Sequence, residues 1–259
     1  ENEYFQGSLN MEKCSSKKTI SPAIQDYLKT IYKLQESGAV ATTDIAKELN
    51  VSSASVTGML KRLETMSLES IISETISIEA MNAEMSNMAN ISLVDYNSYK
   101  GVKLTEVGEK IALEILRRHR LLELYLKEVM GFSLDKVHEE ACRLEHHISK
   151  EFADKLCELL GDPKFDPHGH PIPTKEGKIP TLSECKLSDV DTGKKVKIHR
   201  LADRDDKLLG YLEELGILPG VQTQVIEKAP FNGPVTIELA GERKIIGNEV
   251  AESIFVLSE

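Results

Sequence analysis

TTDIAKELNVSSASVTGMLKRL, Thr42 to Leu63, is the stretch whose reading decides the amino-terminal fold. Ile45, Ala46 and Leu49 recur at helical spacing, with Thr42 or Thr43 placed to cap them. Asn50 and Val51 make a tight connection, and Ser52 or Ser53 caps a second helix whose buried side is Val56, Met59, Leu60 and Leu63. The opposite side presents Ser53, Ser55, Thr57, Gly58, Lys61 and Arg62, all small, hydroxylic or basic. Two short helices joined this closely read as a helix-turn-helix, whose second member can enter a major groove. The plainer alternative is a helical hairpin with a polar exterior. Two features oppose it: the exposed residues are short enough for close backbone approach to DNA, and a wing follows downstream.

Working outward, Ile20 to Gln35 reads as a preceding helix, with Ser21 and Pro22 at its start and Ile24, Leu28, Ile31 and Leu34 as its apolar stripe. Downstream, LVDYNSYKGVKLT gives two short strands around an Asn97 to Gly101 turn, with Lys100 and Lys103 placed for phosphates. The DNA candidates are thus Ser52, Ser53, Ser55, Thr57, Gly58, Lys61, Arg62, Lys100 and Lys103. No long Arg or Gln stands ready for bidentate base reading, so van der Waals contact and DNA shape carry the expected specificity. Between helix and wing lies Ser67 to Ser92, with four Glu and no Lys or Arg, which phosphates would repel. Its Met81, Met85 and Met88 have rough helical spacing. A helical extension or partly packed loop accounts for them better than a methionine box for soft metal.

Thr105 caps a long helix to about Met130, with Ile111, Ile115, Leu122 and Leu126 inward and His119 and Glu123 one turn apart on one face. After Gly131 a further helix is expected from Ser133 or Asp135 to about Leu160, through VHEEACRLEHHISK, Val137 to Lys150. On such a helix His138, Cys142, Glu145 and His146 fall within about a quarter of the circumference, while His147 points away. Two imidazoles, a thiolate and a carboxylate on one stripe make a divalent-metal face of mixed softness. A solvated helix with a few satisfied histidines is the bland alternative. Two long antiparallel helices offer more apolar surface than one small domain needs, which suits a symmetric dimer.

DPKFDPHGHPIPTKEGKIP, Asp162 to Pro180, reads as a linker or an ordered Pro-rich crossing, and its His168 and His170 are weak metal candidates by themselves. From Leu187 the period becomes alternating, and VKIHRL, VQTQVIEKA, PVTIELA, KIIGN and SIFVL are five strand candidates interrupted by one short helix ended by Gly216. A small barrel fits.

The chain has 259 residues and a formal charge of −10, which excludes non-specific coating of nucleic acid, yet residues 11–66 carry eight Lys/Arg against six Asp/Glu. Four scattered cysteines suit a reducing compartment. Residues 1–10, opening ENEYFQGS, read as a purification-tag remnant. With no apolar run of membrane-spanning length and no secretory signal after Met11, the expected location is cytoplasmic, without a membrane partner. The expected division is a winged helix-turn-helix over 11–104 with an acidic insert at 67–92, a helical metal-binding and dimerisation domain over 105–163, a Pro-rich linker over 164–186 and an SH3-like barrel over 187–259. The fold class is mainly α with a small β component.

RHRLLELYL, KVHEEACRLEHH, HPIP, YLEELGILPG and NEVAESIFV, in this order, resemble the diphtheria-toxin-repressor family of metal-dependent transcriptional repressors. The resemblance implies repression of metal-homeostasis genes by a homodimer on palindromic double-stranded operator DNA, activated by Fe(II) or Mn(II), with Co(II), Ni(II) and Zn(II) as substitutes. By position it places a primary metal site on Asp26, Cys142, Glu145 and His146 and an ancillary site on His119, Glu123 and His138. Asp26 matches the manganese branch, Cys142 the iron branch, and Lys29 stands where the manganese branch has a carboxylate. Barrel ligands would fall near Arg200 and Asp203, of which only Asp203 can ligate. Because a thiolate must form at Cys142 and His146 must be neutral, activation is expected to weaken as pH falls toward about 6. The rival readings are a DNA-binding regulator with a structural metal, a ferrous-transport adaptor acting through the barrel, and a metalloenzyme with an open coordination position.

Overall fold

Pro22 sets the first helical φ of α1 (Pro22–Leu34), and the stripe Ile24, Leu28 and Ile31 is buried against the rest of the amino-terminal unit. The computed structural model describes residues 20–35, 38–67, 90–180, 182–203 and 205–258. α2 (Thr42–Glu48) and α3 (Ser53–Leu63) follow, joined through Asn50 at φ 52°. The cap of α2 is Ala41 rather than Thr42 or Thr43, because a backbone bridge between Val40 and Val102 fixes where the chain enters and leaves both threonines inside the helix. Ser52 caps α3 as expected, its hydroxyl accepting from the Ser55 N–H. Ile45, Val56, Leu60 and Leu63 are fully buried, so the two short helices share one core with α1.

A short pair, β1 (Met66–Ser67) and β2 (Asn90–Ile91), lies side by side, which brings residues 67 and 90 next to each other. Most of the expected acidic insert, residues 68–89, lies outside the described residues. The wing is β3 (Val94–Asn97) paired with β4 (Gly101–Leu104), its turn held by Asn97 Oδ1 accepting from the N–H groups of Tyr99 and Lys100.

Thr105 caps α4 (Glu106–Glu128), which packs against α1 and against α5 (Leu134–Leu144). The single helix expected to reach Leu160 is in fact two. α5 ends at Leu144, Glu145 is its cap, and Ser149 starts α6 (Lys150–Leu159) by accepting from the Phe152 N–H. Ser149 offers the backbone a cap where the ladder stops, and the Glu145 carboxylate, one turn after buried Ala141, is itself fully buried. The four-residue stripe is therefore split: His138 and Cys142 share a helix face, while Glu145 and His146 belong to the turn.

The Pro-rich stretch is an ordered crossing. Asp166 Oδ1 accepts from the N–H groups of His168 and His170, both at 2.9 Å, and Phe165 bridges to Pro171. Arg117 and Arg120 of α4 donate to the carbonyls of Pro173 and Pro171. Gly169 sits at φ +93°, where a Cβ would lie 1.9 Å from the His199 carbonyl oxygen.

The carboxy-terminal strands are β5 (Cys185–Lys186), β6 (Lys195–Leu201), β7 (Gln222–Lys228), β8 (Val235–Leu239), β9 (Glu242–Ile246) and β10 (Ile254–Ser258), with α7 (Asp206–Glu214) and α8 (Asn248–Glu252) between them. They form one antiparallel sheet in the order β5-β10-β6-β7-β8-β9, so β5 adds a sixth strand to the five expected. Leu134 of α5 is buried in the core of this sheet, and its N–H donates to Glu213 Oε2 of α7 at 2.8 Å. An N-terminal donor of one unit is thus capped by a side chain of the other.

Gly169→Ala is expected to cost about 1–3 kcal/mol, because it combines a left-handed φ with a backbone collision. Thermal unfolding of the metal-free protein should register the loss, and an unchanged midpoint would contradict the close seating of the crossing on β6.

Candidate metal centre

Asp26 and Lys29 of α1, His119 and Glu123 of α4, and His138, Cys142, Glu145 and His146 from α5 and its following turn converge on one polar seam. Glu145 is at its middle. One carboxylate oxygen lies 2.5 Å from Lys29 Nζ, the other 2.6 Å from His119 Nδ1. His146 Nε2 lies 3.2 Å from Asp26 Oδ1 and 3.6 Å from Glu145 Oε1, while its Nδ1 meets Gln25 Oε1 at 3.1 Å. Donor atoms of Asp26, Glu145 and His146 thus fall within 4.8 Å of one another. Cys142 does not join that triplet. Its sulfur groups instead with His119 and His138, again within 4.8 Å, and is 3.7 Å from His138 Nε2 and from Lys29 Nζ. Glu123 Oε1 faces His119 Nε2 at 2.9 Å and His138 Nδ1 at 3.0 Å.

This crowding sets the protonation states. Burial pushes the Glu145 carboxyl up, but hydrogen bonding and charge from His119, with the charge of Lys29, bring it down to about 2. Burial likewise raises the Cys142 thiol, and hydrogen bonds from His119 and His138 overcome it, drawing the thiol down to about 5. His138 is pushed up to about 9 by its hydrogen bonds to Cys142 and Glu123. Burial opposes the charge on His119, yet Glu123 holds that imidazole well above its ordinary range.

A second cluster adjoins the first. Glu123 Oε2 is 3.8 Å from His168 Nδ1, and His170 Nε2 is 3.9 Å from Asp203 Oδ1. Asp166, His168 and His170 also form a triplet within 4.8 Å, but one oxygen of Asp166 is spent on the two loop N–H groups and the other faces Arg120. Both ring nitrogens of His168 and Nδ1 of His170 are buried without a hydrogen-bond partner. Such nitrogens cost stability unless something coordinates them. Separations of 3–4 Å match adjacent donors around one ion with bonds of about 2.1 Å. Taken singly, the two histidines carried little weight in sequence. What a linear reading missed is their approach to Glu123 and Asp203, and the reach of Lys29 to Glu145. The His-Gly-His spacing ahead of Pro-Ile-Pro was the available signal.

Residues 19–71 match the iron-dependent repressor N-terminal DNA-binding domain, residues 105–174 its metal-binding and dimerisation domain, and residues 185–257 the FeoA domain. The iron-dependent repressor IdeR of Mycobacterium tuberculosis is 28% identical over 244 residues, covering 89% of this chain and 94% of that protein. A solved manganese-dependent transcriptional repressor in complex with manganese is 31% identical at a TM-score of 0.74, covering 91% of this chain and all of its own. The chain belongs to the iron-dependent repressor family. It is a metal-dependent DNA-binding transcriptional repressor, iron- or manganese-regulated, and not an enzyme. A structure of ScaR with bound Zn2+ is 27% identical at a TM-score of 0.67 and covers 91% of this chain and 99% of its own.

Membership in this repressor family brings a DNA-binding domain and a dimerisation domain, hence operator DNA and a second copy of the chain as partners. Ser52, Ser53, Ser55, Gly58, Lys61 and Arg62 are exposed along α3 and its start, and Lys100 and Lys103 are exposed on the wing. Thr57 is half-buried, its hydroxyl donating to the Ser53 carbonyl. Tyr99, 97% exposed at the wing tip, was not singled out from sequence. Among the described residues no helix is long and apolar enough to cross a membrane.

The sulfur of Cys142 is already ionised near neutrality, so the protons an entering cation must expel beside it are those of His138 and His119. The expected pH dependence moves accordingly. With the His138 imidazole titrating at about 9 and that of His119 also held charged, Mn(II) affinity should rise through pH 6–9, approaching about tenfold per unit for each imidazole displaced. Below about 5 the sulfur protonates too and the loss steepens. Mn(II) titrations at three pH values check this, and a flat profile between pH 6 and 8 removes His138 from the ligands.

Proposed function

We propose that Asp26, Glu145 and His146 hold the primary activating metal, joined by Cys142 when its sulfur turns from His119 and His138, and that His119, Glu123 and His138 are the ancillary set, extended beyond Glu123 by His168, His170 and Asp203. The observation that carries the reading is the 3.2 Å approach of Asp26, on α1, to His146, in the turn after α5. A cation there joins the DNA-reading unit to the helical layer and sets the angle between them. The aspartate suits Mn(II), the thiolate Fe(II), so this centre accepts either, with Co(II), Ni(II) or Zn(II) as softer substitutes. Metal supplies charge and a fixed coordination geometry; the chain's residues supply the lever.

In this reading residues 11–104 read DNA, residues 105–163 bind metal and dimerise, residues 164–186 cross over, and residues 187–259 buttress the ancillary centre. The exposed Leu144, Phe152 and Leu159 on α5 and α6 suit the face between two copies. The homodimer presents two α3 helices to half-sites of a palindromic double-stranded operator about 34 Å apart, one helical turn. Ser52, Ser53, Ser55, Thr57 and Gly58 approach base edges and backbone closely. Lys61, Arg62, Lys100 and Lys103 meet phosphates, and Tyr99 lies beside them. Metal selects the conformer with the right spacing, and DNA in turn tightens metal.

A coupling of about 1–3 kcal/mol changes operator affinity about 5–150-fold. Asp26→Ala or His146→Ala is expected to abolish that metal-dependent gain while sedimentation still reports a dimer. Metal dependence that survives either change in a fluorescence-anisotropy titration rejects the primary-centre assignment.

A further inference from the structure

Lys29 and Lys33 stand one turn apart on α1 and reach into the two clusters separately. Lys29 is 7% exposed; its ammonium lies against a Glu145 carboxylate that is fully buried and within 3.7 Å of the Cys142 sulfur. Lys33 Nζ lies 3.3 Å from Asp203 Oδ2, whose other oxygen faces His170. Asp26 shares this side of α1, three residues before Lys29. One face of a single helix therefore offers a carboxylate to one candidate centre and an ammonium to each.

We propose that Lys29 and Lys33 are tethered cations that hold α1 against Glu145 and Asp203 in the metal-free protein and must yield those carboxylates to an incoming divalent ion. The proposal rests on the metal centres assigned above. The Glu145 carboxylate has been taken from water and that of Asp203 partly so, and each has a lysine as positive partner. The lysine supplies it from within the chain, so α1 stays docked before metal arrives. The same charge repels a cation approaching the same oxygens, at a separation where one unit charge is worth about tenfold or more in affinity. Lysine thus sets the concentration at which metal engages. Because the two ammoniums serve different clusters, each centre has its own threshold. Exchanging an ammonium for a coordinated ion also replaces a flexible four-carbon tether with fixed bonds, so the docked helix is aimed rather than merely held.

The test uses the full-length dimer and Mn(II) as probe, with free ion read by electron paramagnetic resonance. Lys29→Met should tighten one Mn(II) site about tenfold, and Lys33→Met the other, each leaving its neighbour unchanged. In the metal-free state, hydrogen exchange of the α1 amides should quicken in both variants and return to the wild-type rate once Mn(II) is bound. Unchanged or weakened Mn(II) affinity in the lysine variants, or unaltered exchange without metal, overturns the proposal. Lys29→Arg, which keeps the cation, should preserve wild-type exchange. If Lys29→Met does not fold, Lys33→Met, at a half-exposed pair, decides the matter. Asp26→Ala and His170→Ala run in parallel: if both keep full Mn(II) binding, the centres themselves are misplaced. If both lose a site while the lysine variants bind as wild type, only the tether is wrong.

Discussion

A buried carboxylate with a separate cationic partner for each oxygen is the constraint around which this repressor is built. Glu145 cannot remain ionised in a dry interior unless it is paired, and its partners come from different elements, Lys29 from α1 and His119 from α4. Satisfying that one group requires α1, α4 and the turn after α5 to meet at a single point. Much follows from this meeting. Glu145 continues the buried stripe of α5, one turn after Ala141, and its N–H still bonds the Ala141 carbonyl as the helix ends. Cys142 and His138 are left on the last regular face beside His119.

The same logic extends to the crossing and the sheet. Glu123 uses one oxygen for His119 and His138 and turns the other toward His168, so it faces both clusters at once. Asp203 divides itself between His170 and Lys33, and burial there is outweighed by Lys33 and then His170 in holding its carboxyl low. Three parts of the chain distant in sequence are thereby tied through acids that no single element could satisfy. The sheet is attached from its other side by apolar contact through Leu134 and by Glu213, which caps α5 and pairs with Lys127. Polar seam and apolar anchor together set where the carboxy-terminal unit stands.

Such an arrangement explains why a regulator can respond to a small ion. In the proposed reading an ion at Asp26, Glu145 and His146 would exchange contacts that already exist rather than create an interface. The free energy available is that of differential affinity between two dockings of α1.

Much was legible in the sequence because it is local. The periodicity of Val56, Leu60 and Leu63 and the cap at Ser52 placed the recognition helix, alternation placed five of the six carboxy-terminal strands, and metal-competent side chains stood out by type. Local patterns failed where long-range contacts compete with them. Ala41, not a threonine, caps α2 because Val40 bridges to Val102. The expected long helix is two because the ladder stops after Glu145 and Ser149 caps a new helix, while Glu145 finds its partners on two other helices. Cys142 faces His119 and His138 rather than Asp26, and His168 and His170, unremarkable in a Pro-rich stretch, meet acids from α4 and from beyond β6. Helical and strand periods are properties of neighbouring residues, so the chain alone determined its elements and the chemistry they carry. Which charges become partners depends on how separate elements pack and which groups lose water when they do; only the tertiary structure decided that.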